Sequence, residues 1–269
     1  MDEPDQIFSE YETPRSPDPR QHQARDKIEK FIDEHPEQVF FSRQIEVQNE
    51  GDFFHWVTNR AIRDLEDSGK LLSETRQLKT GSSIKLLWHK AYRYYRRGAA
   101  DLVKLVEEYA HPNIGAALGR HGELMVLEGF AKSRFLMAGQ STREFGGRKW
   151  VRTEHNLDFI FERDNRVYGI EVKNMLGYMD YDEFKLKIEL CRELGIVPVF
   201  VARMLPKVWV NELWRQGGFA LILKYQLYPH THKDLAKRVR TELGLPVDSP
   251  RALADGTMAR FVDWHVKTM

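Results

Sequence analysis

The sequence predicts an α/β protein in which a mixed sheet flanked by helices follows a smaller amino-terminal domain. Helical and strand-like apolar patterns alternate from about Gly119 to Leu223, in the order expected of a sheet between helical layers. Residues 21–90 show a different order, with three helical elements followed by two strands. The length of 269 residues and a hydrophobic content of 42% are sufficient for two separate cores.

The first 90 residues are predicted to form a tail and a small domain. Residues 1–20 contain four prolines among acidic residues and serines, which predicts a flexible tail. Asp52 is expected to cap the third helix, which ends at Ser68-Gly69. The predicted elements are helices over 21–35, 41–48 and 52–67 and strands over 70–78 and 84–89. This order resembles a winged helix-turn-helix domain over residues 21–90.

The rest of the chain is predicted to contain a linker, a second domain and an extension. Residues 91–111 form a linker and a connecting helix, which starts near Ala99, and residues 230–269 carry two helical patterns of no predicted role. In domain 112–229 we expect helices over 119–137, 180–194 and 208–216 and strands over 149–162, 167–173, 195–202 and 219–223. A short turn separates the first two of these strands, so they are expected to pair as a hairpin.

Charged residues lie on this predicted hairpin. Because side chains alternate along a strand, Glu171 and Lys173 share one face while Ile170 and Val172 share the other. Asp158 lies on the neighbouring strand. The apolar residues make the strand at least half buried, and buried charges need partners. The alternative to a chemical site is an inert salt-bridged strand pair.

Twelve residues separate Asp158 from the sequence Glu171-Val172-Lys173. This arrangement resembles the motif of the PD-(D/E)XK nucleases. This family includes restriction endonucleases and archaeal Holliday-junction resolvases. The resemblance covers about residues 99–223, and it includes an acid on the preceding helix and a helix and buried strand after the motif. Leu157 stands where the family's name-giving proline would be, a proline that family members often lack. The resemblance implies a restriction endonuclease-like fold and a Mg²⁺-dependent endodeoxyribonuclease.

The resemblance also implies a role for each motif residue. Asp158, Glu171 and the Val172 carbonyl would hold Mg²⁺, for which Mn²⁺ can substitute, because hard cations prefer oxygen ligands. Lys173 would orient or polarise the attacking water. Glu123 matches a helix acid that some members use as a further or water-mediated ligand. An ordinary exposed helix acid is the alternative for Glu123.

A lysine on the helix after the motif is the further catalytic candidate. Lys187 falls in the middle of the apolar stripe of the helix predicted over 180–194. The resemblance implies that it touches the scissile phosphate, and a side chain that snorkels to solvent is the alternative. Lys185 takes its place if the helix is rotated.

Basic and aromatic residues of the first domain and linker predict a nucleic-acid surface. Asn59 and Arg63 are predicted to point outward from the third helix, where they can read base edges in the major groove. The arginines between tyrosines in the linker suit a surface that binds a series of phosphates. A protein-interaction or dimerisation module is the alternative. The predicted nucleic-acid-binding residues are Trp56, Asn59, Arg60, Arg63, Arg76, Lys79, Lys85, Arg93, Arg96 and Arg97.

Composition limits the remaining possibilities. The net charge of +1 gives no global polyanion signal, and a single cysteine, Cys191, excludes an internal disulfide and Cys-rich metal sites. No apolar run approaches the roughly 18 residues of a membrane span, and the acidic start does not resemble a signal peptide. We therefore expect a soluble cytoplasmic protein with no membrane partner.

Three functions remain open on the sequence. An active DNA endonuclease is favoured by the intact acid, acid and lysine set, with RNA as a possible substrate as well. The alternatives are a catalytically inactive DNA-binding or scaffolding protein on a nuclease fold and a resolvase of Holliday junctions or other branched DNA. A homodimer is expected by analogy alone, since one active site cuts one strand.

Overall fold

The computed structural model describes residues 19–269 as a mixed α/β protein with several sheets and helices, which confirms the predicted α/β class. The predicted flexible tail lies outside the described residues except for Pro19 and Arg20, which begin the first helix. None of the helices in residues 19–269 is long and apolar enough to cross a membrane.

The chain divides into two structural units. The first comprises the described residues up to Gln77 together with Ser82–Leu102, and the second comprises Leu78–Gly81 and Val103–Met269. The elements of the first unit are α1 (Pro19–Glu34), β1 (Val39–Phe41), α2 (Ser42–Asn49), α3 (His55–Asp67), β2 (Leu71–Gln77) and β3 (Ser83–His89).

Three helices pack on a small antiparallel sheet in the first unit. The sheet has the order β1-β3-β2, so β3 is central. Ile28 of α1, Val57 and Leu65 of α3 and Leu87 of β3 belong to one buried cluster. The three predicted helices and two predicted strands are present, whereas β1 was not predicted because three residues are too few for a visible alternation.

The prediction that Asp52 caps the third helix is wrong. The backbone N–H groups of Asp52 and Phe53 donate to the Asn49 carbonyl, which closes a turn after α2. The Asp52 carboxylate instead pairs with Lys27 at 2.6 Å. Helix α3 starts later, at His55, because the turn occupies the residues before it.

Helix α4 (Tyr95–Tyr109) also starts at a different residue from the one predicted. It begins four residues before Ala99, so that Arg96 and Arg97 belong to the helix rather than to a linker. The Tyr95 ring stacks on Trp88 at 3.9 Å between centroids, and this contact fixes the first residue of the helix against β3.

A five-stranded mixed sheet forms the centre of the second unit. Its order is β10-β9-β8-β7-β4, with β8, β9 and β10 parallel and β4, β7 and β8 antiparallel. The elements of this unit are α5 (Pro112–Lys132), β4 (Leu136–Thr142), β5 (Glu144–Phe145), β6 (Arg148–Lys149), β7 (Leu157–Arg163), β8 (Arg166–Lys173), α6 (Tyr181–Leu194), β9 (Val197–Ala202), α7 (Lys207–Arg215), β10 (Phe219–Ile222), β11 (Gln226–Leu227), α8 (Lys233–Leu243), β12 (Val247–Asp248) and α9 (Asp255–Lys267).

Helices cover both faces of this sheet. On one face Phe159 and Ile170 pack with Phe130 of α5 and Phe261 of α9. On the other face, Ile160 packs with apolar residues of α6, and the Phe200 ring of β9 contacts α6 and α7. The hairpin of β7 and β8 is therefore buried on both sides, so charged residues on it are enclosed by helices.

Two predicted elements of the second unit have different bounds. The helix expected over 119–137 extends from Pro112 to Lys132, and the residues after it form the edge strand β4, in which Leu136 and Met137 are exposed. The strand expected over 149–162 is interrupted, because the Trp150 indole donates to the Thr153 hydroxyl at 2.9 Å and shapes a loop before β7. Helix α6 ends as expected at Gly195, which has φ of 73°.

Candidate active site

The β7–β8 hairpin places Asp158 opposite Glu171. The antiparallel ladder of β7 and β8 ends at the pair of Phe159 and Ile170, so Asp158 and Glu171 are the next residues of the two strands. Glu171 contacts Lys187 of α6, and Asp158 interacts electrostatically with both residues. Gly169 permits this packing, because a Cβ at that position would lie 2.7 Å from the Cys191 sulfur of α6. The two carboxylates thus lie under a helix and not in open solvent.

Glu171 is a buried carboxylate held by two ammonium groups. Its side chain is 3% exposed, and its oxygens accept from Lys173 Nζ at 2.9 Å and from Lys187 Nζ at 2.6 Å. Lys187 also donates to the Asn156 carbonyl. Since the Lys187 side chain is only 5% exposed, it does not snorkel to solvent. Lys185 is exposed and pairs with Asp182, away from Glu171.

Lys173 is shared between two acids. Its ammonium contacts Glu171 and also Glu183 Oε1 of α6 at 2.9 Å. Burial alone would lower the pKa of Lys173, but the charges and hydrogen bonds of Glu171 and Glu183 outweigh it and raise the pKa above its ordinary value. Lys173 is therefore a permanent cation at this site.

Glu183 was not predicted as a site residue. Asp180 caps α6 by accepting from the N–H groups of Asp182 and Glu183, so a glutamate three residues after an N-cap looks like an ordinary capping residue. The available signal was its spacing, because Glu183 precedes Lys187 by four residues and shares its face of the helix.

Asp158 forms no ion pair with a cation within residues 19–269. Its Oδ2 accepts the Val172 N–H at 2.7 Å. Burial, and then the negative charge of Glu171, raise the pKa of Asp158 to about 7, and Glu123 contributes in the same direction. The Val172 N–H and the Lys187 charge oppose this shift without cancelling it. The site therefore holds more negative charge than its lysines neutralise.

Glu123 reaches the vicinity of Asp158 because α5 approaches the end of β8 closely. A Cβ at Gly122 would lie 2.6 Å from the Asn174 Cβ, so only glycine permits this approach. The Asn174 amide donates to the carbonyls of Leu118 and Leu227 at 2.9 and 2.8 Å. Asn174, which directly follows Glu171-Val172-Lys173, thus links α5 to the end of β8.

The oxygen donors fit a hard divalent cation by their chemistry. Asp158 and Glu171 supply carboxylates, and burial together with the negative charge of Glu171 raises the pKa of Asp158, a shift that a bound cation would oppose. In residues 19–269, however, no group of three or more His, Cys, Asp and Glu side chains is arranged to hold a metal. Main-chain carbonyls and waters would therefore have to complete any coordination shell.

The predicted residues of α3 lie on two different parts of its surface. Trp56 is 41% exposed, with the Arg60 guanidinium 4.7 Å from its ring centroid, and Arg63 is exposed. Asn59 was expected to point outward, but it is only half exposed and its side chain hydrogen-bonds to Glu46. The reason is that the buried Glu46 carboxylate, 7% exposed, requires donors.

The basic residues predicted for the wing and the linker differ in their partners. Arg76 pairs with Glu74 at 2.6 Å and Lys85 pairs with Glu66 at 2.6 Å. Lys79, in the second unit, pairs with Glu107 at 3.2 Å. Arg93, which precedes α4, and Arg96 and Arg97 of its first turn are all exposed.

Comparison with known proteins gave no match. No protein-family model, no curated protein and no solved structure matches this chain. The functional argument accordingly depends on the side chains of the hairpin and of the helices that cover it.

Proposed function

We propose that the chain is a metal-dependent endonuclease of the PD-(D/E)XK kind that hydrolyses phosphodiester bonds in DNA. In this proposal the second unit has a restriction endonuclease-like fold, and the first unit is a winged helix-turn-helix domain that binds the substrate. The observation that carries the proposal is the enclosed set of Asp158, Glu171, Lys173 and Lys187 between the sheet and α6.

The charge of this set supports a role in chemistry. Four carboxylates, of Glu123, Asp158, Glu171 and Glu183, interact with each other or with two ammonium groups, so full ionisation leaves an excess of two negative charges. One buried lysine would suffice to neutralise Glu171 if the pair served stability alone. A divalent cation matches the excess, and perturbed carboxylates of this kind are concentrated at functional sites.

The residues would divide the work as follows. Asp158, Glu171 and the Val172 carbonyl would hold Mg²⁺ or Mn²⁺, with Glu123 as a further or water-mediated ligand. A divalent cation at these residues would lower the pKa of a coordinated water and neutralise phosphate charge. Lys173, a cation at the exposed edge of the set, orients the attacking water or stabilises the phosphate oxygens.

In this proposal Lys187 takes a different role from the one the resemblance implied. Its ammonium is held by the Glu171 carboxylate and by the Asn156 carbonyl, and its side chain is almost fully enclosed. Contact with a phosphate would require breaking both interactions in a buried place. We therefore assign Lys187 the positioning of Glu171 instead of contact with the scissile phosphate.

One observation favours a second candidate, an inactive DNA-binding or scaffolding protein. Both oxygens of Glu171 are bonded to lysines, an arrangement that an inert ion-pair network would also have. The two candidates differ in activity, because only the nuclease requires a divalent cation to change the substrate.

The test is incubation of the full chain with linear, single-stranded and four-way-junction DNA and with RNA, in Mg²⁺ and in EDTA. We expect strand cleavage in Mg²⁺ and none in EDTA, with the preferred substrate separating a general nuclease from a junction resolvase. An Asp158→Asn variant should lose the cleavage, while Asp182→Asn, an exposed acid of α6 outside the set, should retain it. Binding without cleavage of any substrate would establish the scaffold.

A further inference from the structure

An exposed tyrosine between exposed arginines marks the residues where α4 begins. The Tyr94 side chain is 86% exposed, the largest exposure among the large hydrophobic and aromatic residues that the structure shows at its surface between residues 19 and 269. Arg93 precedes it, and Arg96 and Arg97 follow within the first turn of α4. We call these four residues the Tyr94 surface.

The chain on both sides of Tyr94 is fixed. Tyr95 stacks on Trp88 with an interplanar angle of 8°, and the Tyr92 N–H donates to the His89 carbonyl at 2.9 Å. The backbone of Tyr94 is thereby tied to β3, while its own ring packs on nothing in the described part of the chain. An exposed aromatic ring that is carried on a fixed backbone and makes no contribution to the core is available for a partner.

The arginines of this surface differ from the other predicted nucleic-acid-binding cations. Within residues 19–269 the side chains of Arg93, Arg96 and Arg97 form no ion pair or hydrogen bond. By contrast, Arg76, Lys79 and Lys85, the cations predicted for the wing formed by β2, β3 and their connecting turn, each pair with an acid. An anion that binds the Tyr94 surface therefore displaces no carboxylate of residues 19–269. The wing cations would first have to leave their partners.

We propose that the Tyr94 surface binds a single-stranded segment of nucleic acid, with the Tyr94 ring stacked on an unpaired base. Arg93, Arg96 and Arg97 contact the phosphates on either side of that base. In a duplex the faces of each base are covered by its neighbours, so only an unpaired base offers its face to the tyrosine. The inference rests on the proposed function and narrows its substrate class to nucleic acid with an unpaired segment.

An acidic peptide is the partner that these observations favour less. Its carboxylates would satisfy the three arginines, but it offers no flat aromatic face for Tyr94. Nucleic acid uses both features of the surface, because charge and π-face alternate along a single strand.

The experiment measures binding by the full chain in EDTA, by fluorescence anisotropy. The probes are a labelled single-stranded oligonucleotide of mixed sequence and a duplex of the same length. Tyr94→Ala should weaken single-strand binding roughly 5- to 150-fold, the range for loss of one base–aromatic stack, and duplex binding much less. Tyr94→Phe should bind like wild type, since it keeps the ring.

Two further variants separate stacking from charge. Trp214→Ala removes another exposed aromatic ring, 68% exposed on α7, and should leave binding unchanged. Arg96→Ala should weaken binding and reduce the dependence of log affinity on log salt by about 0.7, the expected change for one phosphate contact on a single strand.

Three outcomes would overturn the inference. These are unchanged binding by Tyr94→Ala, an equal loss for single strand and duplex, and displacement of the oligonucleotide by polyglutamate as effectively as by unlabelled strand. Because binding is measured without cleavage, a chain that binds through Tyr94 but never cuts contradicts only the nuclease proposal. If the wild-type chain cuts in Mg²⁺ and the Tyr94→Ala variant binds like wild type, only the single-strand inference is contradicted.

Discussion

Two polar networks lie at opposite ends of the β7–β8 hairpin, and they differ in how their charges are satisfied. Near the turn, the Tyr168 hydroxyl bonds to His265 Nδ1 at 2.5 Å, and His265 Nε2 bonds to Asp164 at 3.0 Å. This network joins α9 to the hairpin, and each ring nitrogen of His265 has one partner. At the other end, Glu171 binds two lysines, whereas Asp158 forms no ion pair with any cation of the described residues.

The difference supports the proposed assignment of a structural network near the turn and a chemical network at the other end of the hairpin. The His265 hydrogen bond is the largest cause of a pKa of Asp164 below its ordinary value, so folding stabilises that charge. Folding does the opposite at Asp158, where burial raises the pKa to about 7. A network that stabilises its charges fastens two elements together, whereas one that destabilises a carboxylate is suited to a cation that the protein must bind.

The largest expected effect of a single substitution is at Glu171. Glu171→Ala leaves the Lys187 ammonium buried without its carboxylate, and removal of one partner of a buried pair costs about 3 to 5 kcal/mol. Thermal and urea unfolding should show this loss. Glu189→Ala, an exposed acid of the same helix as Lys187, is the control and should change stability little. A Glu171→Ala protein as stable as wild type would contradict the account of Glu171 as the partner that the buried Lys187 ammonium requires.

Asp158→Asn should stabilise the metal-free protein at high pH. The pKa of Asp158 is about 7 in the folded protein and has the ordinary value of 3.8 in the unfolded chain. The contribution of Asp158 to the free energy of unfolding is therefore fully present below about pH 4 and is lost as the pH rises through 7. An uncharged asparagine escapes this loss, and at pH 8 the gain is at most roughly 4 kcal/mol. Unfolding in EDTA at pH 5 and pH 8 should show a gain that grows with pH. A constant difference would contradict it.

His265→Phe should have a smaller effect, confined to stability. The ring volume is nearly kept, but the buried Tyr168 hydroxyl loses its partner, which costs about 1 to 3 kcal/mol. Cleavage should be unchanged at temperatures where the variant is folded. Double substitution to Tyr168→Phe and His265→Phe should recover part of the loss, because no buried hydroxyl is then left unpaired. A cleavage defect in folded His265→Phe would show that the two networks are coupled.

Local patterns were sufficient to predict the central hairpin. Strand alternation placed Glu171 and Lys173 on one face, and the short turn brought Asp158 to the adjacent strand. They were not sufficient for β4, because its exposed Leu136 and Met137 show no alternation of polar and apolar residues. Whether such a segment forms an edge strand depends on its pairing with the neighbouring strand more than on its own sequence.

Partners distant in sequence account for most of the remaining errors in the site. Asn59 was predicted to face solvent from the pattern of α3 alone, but the acid that holds it, Glu46, is on another helix. Lys79 was predicted to be available for phosphate, although Glu107 pairs with it from 28 residues along the chain. Helical and strand periodicity show which face a residue occupies, whereas the charge it meets there depends on packing.

The most direct test of the proposed chemistry is the cleavage rate of Lys173→Ala in Mg²⁺, measured with its melting temperature and DNA affinity. The matched control is Lys185→Ala, an exposed lysine on α6 that pairs with Asp182 and not with Glu171. We expect Lys173→Ala to bind DNA like wild type and to lose cleavage by roughly two orders of magnitude or more, the usual effect of removing one positioned electrostatic group. Lys185→Ala should cut normally. A folded Lys173→Ala protein that cuts at the wild-type rate would contradict the account.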